Sequence, residues 1–114
     1  MIRNYYNEIW KDIVFDDKIS TEMTFKISNH GRLIKVVNGE DVLIEKQYSI
    51  NGYNTVAVEK NDGKKTARYI HKLVAQHFLD QPEDATYVIH LDYDKFNNKV
   101  ENLKWATKRE KEVH

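Results

Sequence analysis

At 114 residues the chain fits one small domain, or two subdomains sharing a core. Its 40% hydrophobic and 32% charged content, with one Pro and four Gly, excludes a linker or low-complexity segment. Without cysteine there can be no disulfide, zinc knuckle or thiol catalysis, and eighteen basic residues balance eighteen acidic ones, so a nucleic-acid surface would have to come from local clustering.

Residues 1–7 lead into no apolar signal region, and no apolar run approaches membrane-spanning length. A cytoplasmic protein without a membrane partner is expected. Ile9, Trp10 and Ile13 share one short helical face, and residues 15–23 read as a loop. Residues 24–28 (TFKIS) alternate as a strand, residues 29–31 turn, and residues 33–37 (LIKVV) return. Asn38-Gly39 is a two-residue hairpin signal, followed by a strand at residues 42–45. Asn51-Gly52 turns into a strand over residues 53–60, and the 61–63 turn (NDG) closes a hairpin with residues 64–70.

Residues 71–79 (HKLVAQHFL) predict a short helix that buries Leu73, Val74, His77 and Phe78 to varying degree. Pro82 marks a loop, and residues 87–90 (YVIH) form a short strand. Thr107 followed by Glu110 is a capping box, so a last helix of roughly two turns begins at about Thr107 and must pack on something to persist.

Charge is unevenly spread. Residues 60–72 carry Lys60, Lys64, Lys65, Arg68 and Lys72 against Asp62. Residues 95–111 carry Lys95, Lys99, Lys104, Lys108, Arg109 and Lys111 against Glu101 and Glu110. Between them, residues 80–94 hold five acids and no Lys or Arg. Isolated lysines are ordinarily solvated surface. Clustered on a hairpin, Lys64, Lys65 and Arg68 suit a two-stranded ribbon laid along a groove, giving affinity without sequence choice.

Residues 88–107 (VIHLDYDKFNNKVENLKWAT) resemble the core of phage and intron-type HNH homing endonucleases, roughly (Asn/Asp)-His-x-Asp-Gly-Asn-x-x-Asn-Asn-x-x-x-Asn-Leu-x-Trp. His90, Asp92, Asn97, Asn98, Asn102, Leu103 and Trp105 match. Residues 8–13 (EIWKDI), 25–32 (FKISNHGR), Gly52-Tyr53 and 70–78 (IHKLVAQHF) are similar to the nuclease-associated module and linking segment of the same family. The resemblance implies an α+β fold: N-terminal antiparallel hairpins with a short helix, then a ββα-metal motif whose final helix is truncated. Residues 1–50 would form the module and residues 51–114 the HNH-like part, as one compact unit.

It further implies that His90 is the general base and that Asn102 holds its ring. The divalent metal of the family would be held by the residue before the histidine and by an Asn or His on the following helix. Those places are Ile89 and Lys111, a hydrocarbon without a lone pair and an ammonium that repels cations. His114 is the one replacement nitrogen nearby. Asp92 belongs to the turn, and Tyr93 stands where the family has a Gly.

Among the rest, His71 is read as ring packing with a hydrogen bond at the helix start, and His77 as core or half-buried. His30 lies in a turn where it could touch phosphate with Arg32. Asn97 and Asn98 read as loop hydrogen-bonders, and the tryptophans and tyrosines as core or rim. Lys111 could meet a DNA phosphate where the metal would sit.

The favoured expectation is a protein that binds double-stranded DNA through Arg32, Lys64, Lys65, Arg68, Lys72, Lys95, Lys99, Lys108 and Lys111, with catalysis weak or lost and no cofactor. It would work in a bacterial or phage-infected cell, with a homo-oligomer or protein partner left open. The alternatives are a DNA-nicking endonuclease using Mg or Mn, and a protein-interaction or virion component on the same scaffold.

Overall fold

A computed structural model describes residues 2–114. Four strands, β1 (Trp10–Asp12), β2 (Thr24–Ser28), β3 (Leu33–Val37) and β4 (Glu40–Ile44), form an antiparallel sheet in that order. Three more, β5 (Tyr48–Ile50), β6 (Tyr53–Glu59) and β7 (Lys65–Tyr69), form a second. Helix α1 (Ile70–Phe78) follows, then strands β8 (Tyr87–His90) and β9 (Leu103–Ala106) joined through a 3₁₀ turn at Val100–Asn102, and last α2 (Lys108–Val113). The architecture is α+β, as expected.

The Asn-Gly turns behave as their chemistry demands. Asn38 and Gly39, and Asn51 and Gly52, all have positive φ, so two-residue loops join β3 to β4 and β5 to β6 with Val37 opposite Glu40 and Ile50 opposite Tyr53. Strand β5 had no sequence signal of its own.

The helical face proposed for Ile9, Trp10 and Ile13 is not helix. Residues 10–12 are a strand on the edge of β2, with Trp10 opposite Ser28. The cause is a specific tether: Asn29 accepts the Ile9 N–H at 2.9 Å and donates to the Asn7 carbonyl at 3.0 Å, while Ile13 N–H reaches the Phe25 carbonyl at 2.9 Å. Left-handed Asn7 also interrupts any helix before it can propagate.

One apolar core joins the pieces. Phe25, Ile27 and Leu33 of the first sheet pack with Val56 and Val58 of the second, with Ile70, Leu73 and Val74 of α1, and with Leu103 of β9. Of the helix face expected to be buried, Leu73 and Val74 are, while His77 and Phe78 are half-buried. A smaller cluster of Ala75, Ala85 and Trp105 locks α1 to β9, and the Trp105 indole donates to the Ala75 carbonyl. Among the described residues, no helix is long and apolar enough to cross a membrane.

Helix α2 carries the predicted capping box. Thr107 Oγ1 accepts from Glu110 N–H at 3.2 Å, and Glu110 accepts from Thr107 N–H at 3.0 Å.

Candidate functional site

The β8–β9 hairpin places His90 at the end of its first strand, opposite Leu103. The long loop between them is closed by side chains. Asp92 accepts from Asp94 N–H, from Asn97 Nδ2 and from Asn102 Nδ2, all within 2.8–2.9 Å. Asn102 also accepts the Asp92 N–H at 2.9 Å and donates to the Asn97 carbonyl at 2.9 Å. Hydrogen bonds from Asn97 first, then from Asp94 N–H and Asn102, hold the Asp92 carboxyl below its usual range.

Asn102 therefore does not hold the histidine ring as expected. Its three polar contacts all go to the loop, and its backbone carbonyl takes the Leu91 N–H at 2.8 Å, so it sets the backbone that carries His90. The ring itself is met by Asn98, whose Oδ1 lies 2.8 Å from His90 Nε2.

Two further rings pack against His90. Tyr53 of β6 stacks on it at 5.8 Å between centroids, and His71 of α1 lies 5.0 Å away and 4.8 Å from Tyr53. Behind them, Tyr69 meets His71 at 5.4 Å with its ring tilted by 43°. Burial first, then the electrostatic influence of neighbouring His90 and of the Lys72 ammonium, pushes His71 down to about 3, so it is neutral at ordinary pH. Its ring packing was expected. The accompanying hydrogen bond is not formed at Nδ1, which is buried without a partner.

The places of the metal ligands do not fit a hard divalent ion. Ile89 is half-buried opposite Lys104, and the Lys111 ammonium rests 4.5 Å over the Tyr87 ring. The replacement nitrogen, His114 Nε2, donates to the His90 carbonyl at 2.8 Å, and its ring stacks on Tyr93 at 4.4 Å. That nitrogen is thereby spent on a hydrogen bond. Among the described residues, no three His, Asp or Glu side chains are grouped to hold an ion. Tyr93, at the place the resemblance gives to Gly, has φ 65°, so a residue with a side chain carries the strain of a left-handed turn.

The two arginines assigned to DNA are not free for it. Arg32 forms a two-pronged bond with Glu8, donates to the Arg3 carbonyl at 2.8 Å and lies 3.9 Å over the Tyr5 ring. Arg68 clasps Asp16 at 2.7 and 3.2 Å and donates to the Ala67 carbonyl. Both are intramolecular clamps that neutralise the charge a phosphate would need. His30 is likewise turned inward, its Nε2 donating to the Tyr6 carbonyl at 3.1 Å.

Lys64, Lys65, Lys72, Lys95, Lys99, Lys108 and Lys111 remain exposed. Three lysines mark a surface the sequence did not single out. Cross-strand pairing puts Tyr48, Ile50, Tyr53, Thr55 and Tyr69 on one face of the second sheet, opposite the buried Val56 and Val58. Lys46, Lys95 and Lys72 place their ammonium groups 5.4, 4.7 and 5.7 Å over the rings of Tyr48, Tyr53 and Tyr69. The face runs directly to His90. The alternation of strand side chains after the Asn51-Gly52 turn is the available signal, but the three exposed residues of β5 that complete the face carry no pattern of their own.

No family model matches the chain. It is 34% identical over 110 residues, 95% of its length, to an uncharacterized HNH endonuclease of Acanthamoeba polyphaga mimivirus, of which it spans 26%. It is 32% identical over 100 residues, 88% of its length, to DNA endonuclease I-HmuI of Bacillus phage SP01, of which it spans 53%. The solved structure of DNA binding and cleavage by the HNH homing endonuclease I-HmuI matches with a TM-score of 0.66 at 29% identity, covering 89% of this chain and 53% of that one. The chain thus corresponds to only part of each relative's length.

Proposed function

Since the chain belongs to the HNH homing-endonuclease family, we propose that it binds double-stranded DNA on that scaffold, with metal-dependent strand cleavage weak or lost. The observation that carries this reading is the pairing of a retained His90 with Ile89 and Lys111 at the ligand places. A hydrocarbon and an ammonium group supply no oxygen to a hard cation. The family name of its relatives, one of them a DNA endonuclease, supports the DNA partner.

Phosphate contact is assigned to Lys64 and Lys65 on the β6–β7 hairpin, to Lys72 and Lys95 beside His90, to Lys46 over the Tyr48 ring, and to Lys99, Lys108 and Lys111. His90 and Asn102 keep their places as the centre of the site and the brace of its loop. Residues 1–50 and 51–114 act together as one binding unit, since core residues come from both.

A second reading, a DNA-nicking enzyme using Mg or Mn, is favoured by the intact Asp92–Asn97–Asn102 network around His90. One assay separates the two. Supercoiled plasmid is incubated with the protein and Mg or Mn, and with the His90→Ala variant, while duplex binding is measured against salt. We expect no nicking that depends on His90, and affinity that falls steeply with salt. Nicking abolished by His90→Ala would establish the second reading, and no binding even at low salt would defeat both.

A further inference from the structure

We propose that Asn98 is the positioning residue for the His90 ring and is itself set by the β2–β3 turn of the N-terminal sheet. This rests on reading His90 as the centre of the site. His90 Nε2 lies 2.8 Å from Asn98 Oδ1, and each residue is only 6% exposed. A carboxamide oxygen can only accept, so the ring nitrogen facing it carries the hydrogen. The lone pair of the neutral imidazole then falls on Nδ1, because the partner of one ring nitrogen decides the state of the other.

Asn98 is braced from behind. A Cβ on Gly31 would stand 2.9 Å from the Asn98 Cβ and 3.0 Å from its carbonyl oxygen, so bare glycine backbone packs directly against it. Two residues on, Val100 N–H donates to the Asn29 carbonyl at 2.8 Å. The same turn is tied internally by Ser28, whose hydroxyl accepts from His30 N–H and Arg32 N–H. A turn of the first sheet thereby fixes a residue of the β8–β9 loop, and that residue addresses the histidine.

The other neighbours of His90 do a different job. Tyr53 from β6 and His71 from α1 pack against the ring as aromatic surfaces, and Asp92 spends its carboxylate on its own loop. Stacking sets the plane of a ring but not which edge points where. Among the described residues, the Asn98 contact is the one hydrogen bond to the His90 ring. Turning the ring over would remove Nε2 from Oδ1 and leave a buried carboxamide unsatisfied. Asn98 thus chooses both the ring's rotation and its tautomer.

The test uses the free, full-length, ¹⁵N-labelled chain at roughly pH 8, above the usual imidazole range. Long-range ¹H–¹⁵N correlation spectra report the tautomer of each histidine, and the His90 signals are identified by their loss in His90→Gln. The wild type is expected to show the Nε2–H form. Asn98→Leu, which removes the acceptor, should shift His90 towards a mixture of tautomers. Asn98→Asp, which keeps an oxygen at that place, should restore the Nε2–H form. An Nδ1–H wild type, or a folded Asn98→Leu protein with the wild-type tautomer, overturns the proposal. If the leucine variant does not fold, the wild-type tautomer and the aspartate variant still decide it, since loss of the Nε2–H form in folded Asn98→Asp also counts against it. No DNA is present in these spectra, so a failure of DNA binding is read separately.

Discussion

Asn102 and Glu8 show how much a single polar side chain can hold. Three hydrogen bonds converge on Asn102, which is only 7% exposed. Its replacement by Ala leaves Asp92 and the Asn97 carbonyl short of partners, and should cost about 2–4 kcal/mol in urea denaturation. Glu8 has a pH signature. Burial alone would raise its carboxyl, but hydrogen bonds from Arg32, Ser28 and Tyr5 N–H outweigh it and bring the value down to about 2 from 4.5. The unfolded chain therefore takes up the proton first as pH falls. The contribution is fully present above about pH 4.5 and is lost as pH drops towards 2. Denaturation midpoints followed across that interval should fall less steeply in Glu8→Gln than in the wild type.

At this scale the residue types were legible and their partners were not. His90 closes the strand read at residues 87–90, whereas Asn102 braces the loop and leaves the ring to Asn98. Neighbouring Asn97 and Asn98 look alike in sequence, yet one donates to Asp92 and the other accepts from His90, a choice made by the loop's path. Arg32 and Arg68 read as free charge because Glu8 lies 24 residues away and Asp16 lies 52 residues away. Pairing over such separations is a property of the folded chain.

Among the elements, the β2–β3 turn has the most depending on it. Gly31 has φ +80°, and a methyl there would meet Asn98 at 2.9 Å. Gly31→Ala therefore combines backbone strain with overpacking, and should lower stability by about 2–4 kcal/mol in chemical denaturation. Ala at Gly39, which also has positive φ but open space around it, should cost only the backbone part, about 1–2 kcal/mol. Hairpins at Asn-Gly and the capping box at Thr107 were readable because their chemistry is local. Strand β1 was not. Ile9, Trp10 and Ile13 satisfy a helical spacing as well as an extended one, and the Asn29 tether that decides between them is twenty residues away. Strand β5 is three exposed residues long, too short to show a pattern.

Over the whole molecule, a neutral net charge conceals strong local order. Both sheets, α1 and β9 contribute to one apolar cluster, which keeps the tyrosine face of the second sheet in fixed relation to His90. The general class was readable from motif order along the chain. The face itself was not, because it requires three strands in register.

Lysine side chains ordinarily lose rotamer freedom when they capture a phosphate. Those already resting on aromatic rings have surrendered part of that freedom before any ligand arrives. Lys46 over Tyr48 is the most exposed example, with Tyr48 55% accessible. Tyr48→Leu keeps every charge yet releases that side chain, so duplex affinity should weaken roughly two- to five-fold with the salt slope unchanged. Fluorescence titrations at several salt concentrations would show it, and an altered slope would mean that the ring acts through something other than preorganisation.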